Sequence, residues 1–241
     1  MCALEFEKIQ KEGFHYWVWT EEDFLPYAWP SEKDIRAAPK PLMLRDLHPD
    51  YPMGFEYDDQ EEAMNVSGLG KTFEEIRMDN DLRKDLRRVE KKNAETELVQ
   101  NEKNSLEMSS HWFLEQWKED EDYFQRRLSA WKKISSTLSA YLKGELIGVH
   151  ISMKEKNFVY YLGCWWNRGH KNLSVPTFLL KKDIENAIVG GFKQYDLGVG
   201  DEPYKKRWGV AQRPAKYYAE MTPETASKLG VKRFVKNEKI D

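Results

Sequence analysis

The run YDLGVGDEPYKKRWGV, residues 195–210, gathers groups able to do chemistry at one strand-to-helix turn. Asp196 and Glu202 are carboxylates that could take a proton from an amine nucleophile. Gly198 and Gly200 let the chain bend sharply and let a ligand approach the backbone. Asp201 is placed to cap a short helix over 203–208, and Pro203 to pre-set its first turn. On that helix Tyr204 and Trp208, four apart, share a face, while Lys205 and Arg207 point elsewhere. A second description fits the same residues. Asp201 and Pro203 are then caps only, Tyr204 and Trp208 are core, and Asp196 holds the turn by hydrogen bonds. Two further groups stand outside the turn. His150, in LIGVHISM, faces away from Ile147, Val149 and Ile151, as a hydrogen-bonded structural histidine or as a base. Cys164 follows a strand, as inert packing or as a nucleophile. No Ser-His-Asp pattern, P-loop or metal-spaced cluster occurs, so no metal is expected.

The elements around this turn are legible from periodicity. DNDLRKDLRRVEKKNAETELV, from Asp79 to Val99, reads as a helix with Leu82, Leu86 and Val89 on one face and Asp79, Asn80 and Asp81 as caps. Its other face carries Arg83, Lys84, Arg87, Arg88, Lys91 and Lys92, either simply solvated or turned toward an anion. Residues 109–134 read as one or two amphipathic helices with Phe124, Leu128 and Trp131 in a stripe. STLSAYLKGELIGVHISMKEKNFVYYLGCWW reads as three antiparallel strands joined by tight turns at Gly144 and at KEKN. After the loop NRGHKNLSV comes a helix burying Leu180, Ile184, Ala187 and Ile188, with Ser174 as its cap and Gly190–Gly191 as its end. KQYDLG is a strand entered through that helix, so it can run parallel to the strand before it. PAKYYAEMT is a last strand and PETASKLGVKRFV a last helix, capped by Thr222. The order β-β-β-α-β-α-β-α after the first helices is an α/β fold with a mixed sheet, in which strands part and leave a crevice at their ends.

The chain has 241 residues, with 13% aromatic and 33% charged, which argues for a globular domain rather than global disorder. A net charge of −3 is not that of a protein binding polyanions over its whole surface. Two distant cysteines make no disulfide framework and fit a reducing cytoplasm. The first residues, MCALEFEKIQKEG, lack the basic and apolar regions of a leader, and no apolar run reaches the roughly 18 residues of a membrane span. A cytoplasmic protein with no membrane partner is expected. Residues 1–70 are rich in aromatics broken by prolines and read as an irregular extension of short strands and extended segments, leaving 71–241 as the main domain.

The element order resembles the GNAT acyltransferase fold. FKQYDLGVGDEPYKKRWG resembles the turn of the CelD-like, cellulose-biosynthesis type of GNAT protein, and its aromatic-Lys-x-x-Trp-Gly end is similar to that of the FemAB peptidyltransferases. LRKDLRRVEKKN resembles the basic first helix of that superfamily, and the likeness spans about residues 72–230. It implies a GNAT-like mixed central sheet flanked by helices, with the aromatic-rich extension outside it. It implies that the strand NFVYYLGCWW, through Cys164 and Trp165, pairs with the pantetheine arm of an acyl-CoA. The next helix N-terminus would take the pyrophosphate, with Arg168, His170, Lys171 and Ser174 beside it. Tyr204 matches the tyrosine that protonates the leaving thiolate in many GNAT enzymes, and Lys205 the lysine lining the acyl-donor channel of FemAB proteins. The wider GNAT pattern has an Arg or Gln followed by two spaced glycines where this chain has RGHKNLS; FemAB-type relatives also lack that glycine loop.

The resemblance implies an N-acyltransferase with acyl-CoA, acetyl-CoA in the first instance, as co-substrate and a small-molecule or peptide amine as acceptor. Direct attack by the amine would be assisted by Glu202 or Asp196 as base. One alternative is a FemAB-like transferase drawing on aminoacyl-tRNA, with the basic helix on the RNA backbone. Another is a non-catalytic interaction protein on the same scaffold, with an apolar patch in residues 14–29.

Overall fold

The computed structural model describes residues 6–11, 14–19, 31–47, 51–56, 63–102, 104–117, 121–155, 157–199, 202–209, 211–214 and 216–237. From the N-terminus, β1 (Phe6–Lys11) and β2 (Phe14–Trp19) precede α1 (Glu32–Ala37), β3 (Leu42–Leu47), β4 (Phe55–Glu56) and β5 (Ala63–Gly68). Next come α2 (Asn80–Lys92), β6 (Thr96–Gln100), α3 (Asn104–Met108), α4 (Ser110–Trp117) and α5 (Glu121–Ile134). They are followed by β7 (Ser135–Leu142), β8 (Glu145–Glu155), β9 (Phe158–Trp166), α6 (Val175–Val189), β10 (Gln194–Val199) and α7 (Pro203–Lys206). The chain closes with β11 (Ala211–Pro214), β12 (Lys216–Met221), α8 (Pro223–Leu229) and β13 (Val235–Lys236).

Contacts divide the chain into two units, residues 1–64 with 213–241, and residues 65–212. The first holds a sheet of order β1-β2-β3-β12-β13, with β4 also paired to β12. Its core is built on Leu42, Leu44, Leu47, Ile35 and Tyr218. Thr222 caps α8 by accepting the Thr225 amide at 3.2 Å. That helix ends at Leu229, short of the expected Val235, because Gly230 turns left-handed at φ +70°.

The second unit carries a seven-stranded sheet of order β11-β5-β10-β9-β8-β7-β6. β6 to β9 are antiparallel neighbours, and β10 lies parallel to β9 through the α6 crossover, the mixed sheet the sequence implied. Adjacent residues of a strand point to opposite faces. On one face Cys164 packs with Leu179 and Val175 of α6. On the other Trp165 stacks on Trp131 at 5.7 Å and meets Phe113 edge-on at 5.1 Å, under α4 and α5. Phe124, Leu128 and Trp131 are buried as their spacing required.

Helix α2 buries Leu82, Leu86 and Val89 and starts at Asp79, whose carboxylate accepts the Asp81 amide at 2.6 Å. It stops at Lys92, not at Val99. The Asn93 amide donates to Val89 at 2.9 Å and to the Leu173 carbonyl at 2.8 Å, so the chain is tied down there. TELVQ then pairs with β7 as a strand, the sheet supplying a partner that local pattern could not show. Asp79→Ala should lower unfolding free energy by about 1 kcal/mol, read as a shift in urea midpoint at unchanged slope.

Candidate active site

The last paired residues of β9 and β10 are Tyr160 and Asp196. Beyond them β9 runs on to Trp166 and β10 to Val199 without pairing to each other, so the strands part. A second irregularity sits on the other side of β9. Pairing with β8 passes from Gly163↔Ile151 to Tyr161↔Ser152 and skips Leu162. Such a bulge re-aims side chains. Here it brings Tyr161 and Cys164, three apart, to one face of the sheet, where both join the α6 core.

The turn after β10 is held by its own side chains. Asp196 is fully buried and its Oδ1 accepts the Gly198 amide at 2.7 Å. This is the turn-holding role left open by the sequence. Lys205 is 2% exposed, points inward, and donates from Nζ to the Gly198 carbonyl at 3.3 Å and to Glu202 Oε2 at 2.8 Å. Glu202 occupies the cap position of α7 without a side-chain cap bond. Gly200 and Asp201, the expected hinge and cap, lie outside the described residues.

Tyr204 and Trp208 do not share a face. Regular helix covers only Pro203–Lys206, and the chain turns before Trp208. Trp208 is buried among Ile76, Met78, Leu82 and Leu86, with Phe73 edge-on at 6.3 Å. Arg207 bonds Asp85 of α2 at 2.7 Å, and its carbonyl accepts the Asp79 amide at 2.8 Å. Tyr204, by contrast, is 42% exposed. Its hydroxyl end is desolvated, and that first, then Glu202 and Cys164, push the phenol well above its ordinary range. The same group reaches Tyr161, whose phenol is raised by burial and then by Cys164, Tyr204 and Glu202. Burial likewise pushes the Cys164 thiol up, so it stays neutral and is packing rather than a nucleophile. Tyr161, Cys164, Glu202, Tyr204 and Lys205 therefore form one neighbourhood where the strands part.

The second expected group gathers at the start of α6. Arg168–Leu173 forms a 3-10 turn, with Asn167 Oδ1 accepting the Gly169 amide at 2.9 Å. Arg168 and Lys171 are exposed and make no ion pair among the described residues. His170 Nε2 lies 3.5 Å from Glu145, which also accepts from Asn167 at 3.1 Å. Ser174 is not a side-chain cap. It sits left-handed at φ 53° and offers α6 only its carbonyl, to Phe178 at 3.1 Å. Trp165 is fully buried on the α4–α5 face, so only its backbone can reach the crevice.

His150 is the hydrogen-bonded histidine that the sequence favoured. Its Nε2 lies 2.9 Å from Tyr195 Oη and 3.2 Å from Asp183 Oδ2, and Tyr195 donates to that same carboxylate at 2.6 Å. Desolvation alone would raise Asp183, but the bonds and charge of His150 and the Tyr195 bond hold it below its usual range. Sequence reasoning missed Asp183, Tyr195 and Tyr161, because α6 and two separate strands bring them together.

Two of three comparisons with known proteins find relatives. A family model described as an acetyltransferase (GNAT) domain matches residues 78–206. No curated protein matches this chain in sequence. The crystal structure of FemX superposes with a TM-score of 0.64 at 10% identity, over 94% of this chain and 85% of that one. The C-terminal domain of a putative lysylphosphatidylglycerol synthetase from Agrobacterium fabrum gives 0.60 at 14% identity, over 94% and 83%. L-PGS from Bacillus licheniformis gives 0.58 at 11% identity, over 94% and 84%. Identities this low show a shared fold. No helix among the described residues is long and apolar enough to cross a membrane.

Proposed function

The chain belongs to the acetyltransferase (GNAT) domain family, and from that premise we propose an N-acyltransferase that moves an acyl group from a CoA thioester to the amine of a small molecule or peptide. The observation that carries this reading is the end of β9–β10 pairing at Tyr160 and Asp196, with Tyr204 at its mouth. Backbone groups released from pairing need partners, and the amides of an extended pantetheine arm supply them. Cys164 and Trp165 take part through their backbone. The start of α6 offers amide groups and a positive dipole end to a pyrophosphate, with Arg168 and Lys171 beside it and His170 and Ser174 in the same turn.

In the reaction the amine nitrogen attacks the thioester carbonyl carbon. The C–N bond forms, the C–S bond breaks, and the thiolate departs. Tyr204 is protonated at neutral pH, as an ordinary phenol is, and its raised pKa keeps it so over a wider range, so it is a hydrogen-bond donor to the departing sulfur. The proton that ends on CoA is, in net terms, the one lost by the amine. Glu202, beside Tyr204, is the base best placed to carry it, and Lys205 orients that carboxylate. Asp196 serves the turn instead.

Calorimetric titration with acetyl-CoA and with free CoA tests the donor. Micromolar Kd values should rise about tenfold in Arg168→Ala and in Lys171→Ala, the usual loss for a charge-assisted phosphate contact. No heat with either ligand across several temperatures would overturn the acyl-CoA reading.

One observation favours a second donor, aminoacyl-tRNA. Arg87 and Lys91 of α2 are exposed and make no ion pair among the described residues. Lys92 Nζ bonds the Asn172 carbonyl at 2.8 Å, which joins this face to Arg168 and Lys171. Other cations of the helix are engaged, Arg83 with the Ile76 carbonyl and Lys84 with Asp81. A tRNA held on this strip would lose affinity steeply with salt, whereas CoA would lose it modestly.

A further inference from the structure

We propose that the Tyr161 ring sets the length of the acyl group, and that a buried His150–Asp183–Tyr195 network holds the ring in place for this. The proposal rests on the acyl-CoA reading above. Tyr161 is the first residue of β9 past its last pair with β10, so its backbone lies where the strands part and its ring stands on the α6 face of the sheet beside that opening. A Cβ built on Gly198 would come to 4.0 Å of the Tyr161 carbonyl, which shows how closely the two parted strands still run. The bulge at Leu162 turns this ring to the same side as Cys164.

The ring also closes a seam. It packs against one core cluster built on Val159, Leu180 and Leu197, and against a second built on Ile147, Cys164 and Leu179. A side chain shared by two clusters is the one whose removal would connect the crevice to the space between them. Its phenol is desolvated and feels Tyr204 and Glu202, which places it beside the groups assigned to the chemistry.

Behind the ring lies its support. The imidazole of His150 is tilted against Tyr161 with centroids 5.1 Å apart. His150 is itself fully buried and cannot swing away. A carboxylate only accepts, and the single Tyr195 hydrogen is given to Asp183, so His150 Nε2 carries the hydrogen directed at both oxygens. Two bonds thus hold the imidazole at Nε2, one to a strand and one to a helix, and the Tyr195 bond to Asp183 ties those two partners together. A wall must be rigid to discriminate, because one extra methylene changes rates by only about 10- to 200-fold even in a close-fitting pocket.

The test is calorimetric and needs no acceptor. Free CoA, acetyl-CoA, butyryl-CoA and hexanoyl-CoA are titrated into the full chain and into Tyr161→Ala, Tyr161→Leu, Tyr161→Phe and Tyr195→Phe. The unsubstituted protein should prefer acetyl-CoA over hexanoyl-CoA by about tenfold or more. Tyr161→Ala should abolish or reverse that preference while the Kd of free CoA stays within about twofold. Tyr161→Leu carries the same expectation if the alanine variant does not fold. Tyr161→Phe keeps the ring and should keep the preference. Tyr195→Phe removes the donor to Asp183 and should narrow the preference, a change that a general loss of structure would not produce without weakening free CoA. Tight CoA binding with the same acyl preference in Tyr161→Ala and Tyr161→Leu as in the unsubstituted protein overturns this proposal and leaves the acyl-CoA reading standing. No binding of any CoA species overturns both.

Discussion

Tyr204→Phe should lower kcat by about a hundredfold or more and leave the Kd of acetyl-CoA nearly unchanged. The residue is half exposed at the mouth of the parting, so its ring contributes little to packing and phenylalanine keeps that ring. What is lost is one protonated hydroxyl, whose pKa desolvation and nearby Glu202 raise further above neutral pH. A donor aimed at the departing sulfur matters only once charge develops there. The loss therefore falls on kcat and kcat/KM together and spares ground-state binding. Release of CoA thiol from acetyl-CoA, followed with a panel of amine acceptors, reads the effect. Equal turnover in the variant would remove Tyr204 from the chemistry and leave the leaving group to solvent.

Gly209→Ala should cost about 3 kcal/mol or more and remove activity with it. Gly209 sits at φ +64°, which by itself costs a residue with a side chain about 1 kcal/mol. The larger effect is contact. An added Cβ would lie 1.4 Å from the Arg77 carbonyl oxygen and 2.5 Å from its carbon, backbone that cannot step aside. The α7 turn would have to lift from the segment that leads into α2, breaking the Asp79 amide to Arg207 carbonyl bond and drawing Trp208 from its pocket. Gly191→Ala is the control. It too has a positive φ, of +75°, but nothing lies within 4 Å of its added Cβ, so it should cost only about 1 kcal/mol. Urea unfolding of both variants separates contact from backbone strain, and similar midpoints for the two would show that the turn is not clamped on the Arg77 backbone.

Local pattern carried much of this protein. The apolar spacing of Leu82, Leu86 and Val89 and the cap at Asp79 were legible because each depends on neighbours within a turn or two. The three strands β7, β8 and β9, the crossover α6 and the parallel β10 followed from alternation, tight turns and connection length. The turn after β10 was legible as a place of close approach, and its glycines and acids stood out without any partner being known.

Tertiary structure decided the rest, for reasons of distance along the chain. TELVQ is a strand only because β7 lies beside it, and α2 ends early because Asn93 bonds a carbonyl 80 residues away. Trp208 and Tyr204 part company because the α7 helix is one turn long and α2 supplies a pocket for the tryptophan alone. Ser174 and Trp165 have suitable side chains by type, yet backbone conformation turns the first out of capping and strand alternation sends the second to the far face. Tyr161 carried no signal, since its role depends on a one-residue bulge that leaves composition and periodicity unchanged. Residue types and their local spacing were thus enough to name the fold and to single out the turn after β10. Which side chains meet there depends on contacts between β8, β9, α6 and β10, and only the folded chain sets those.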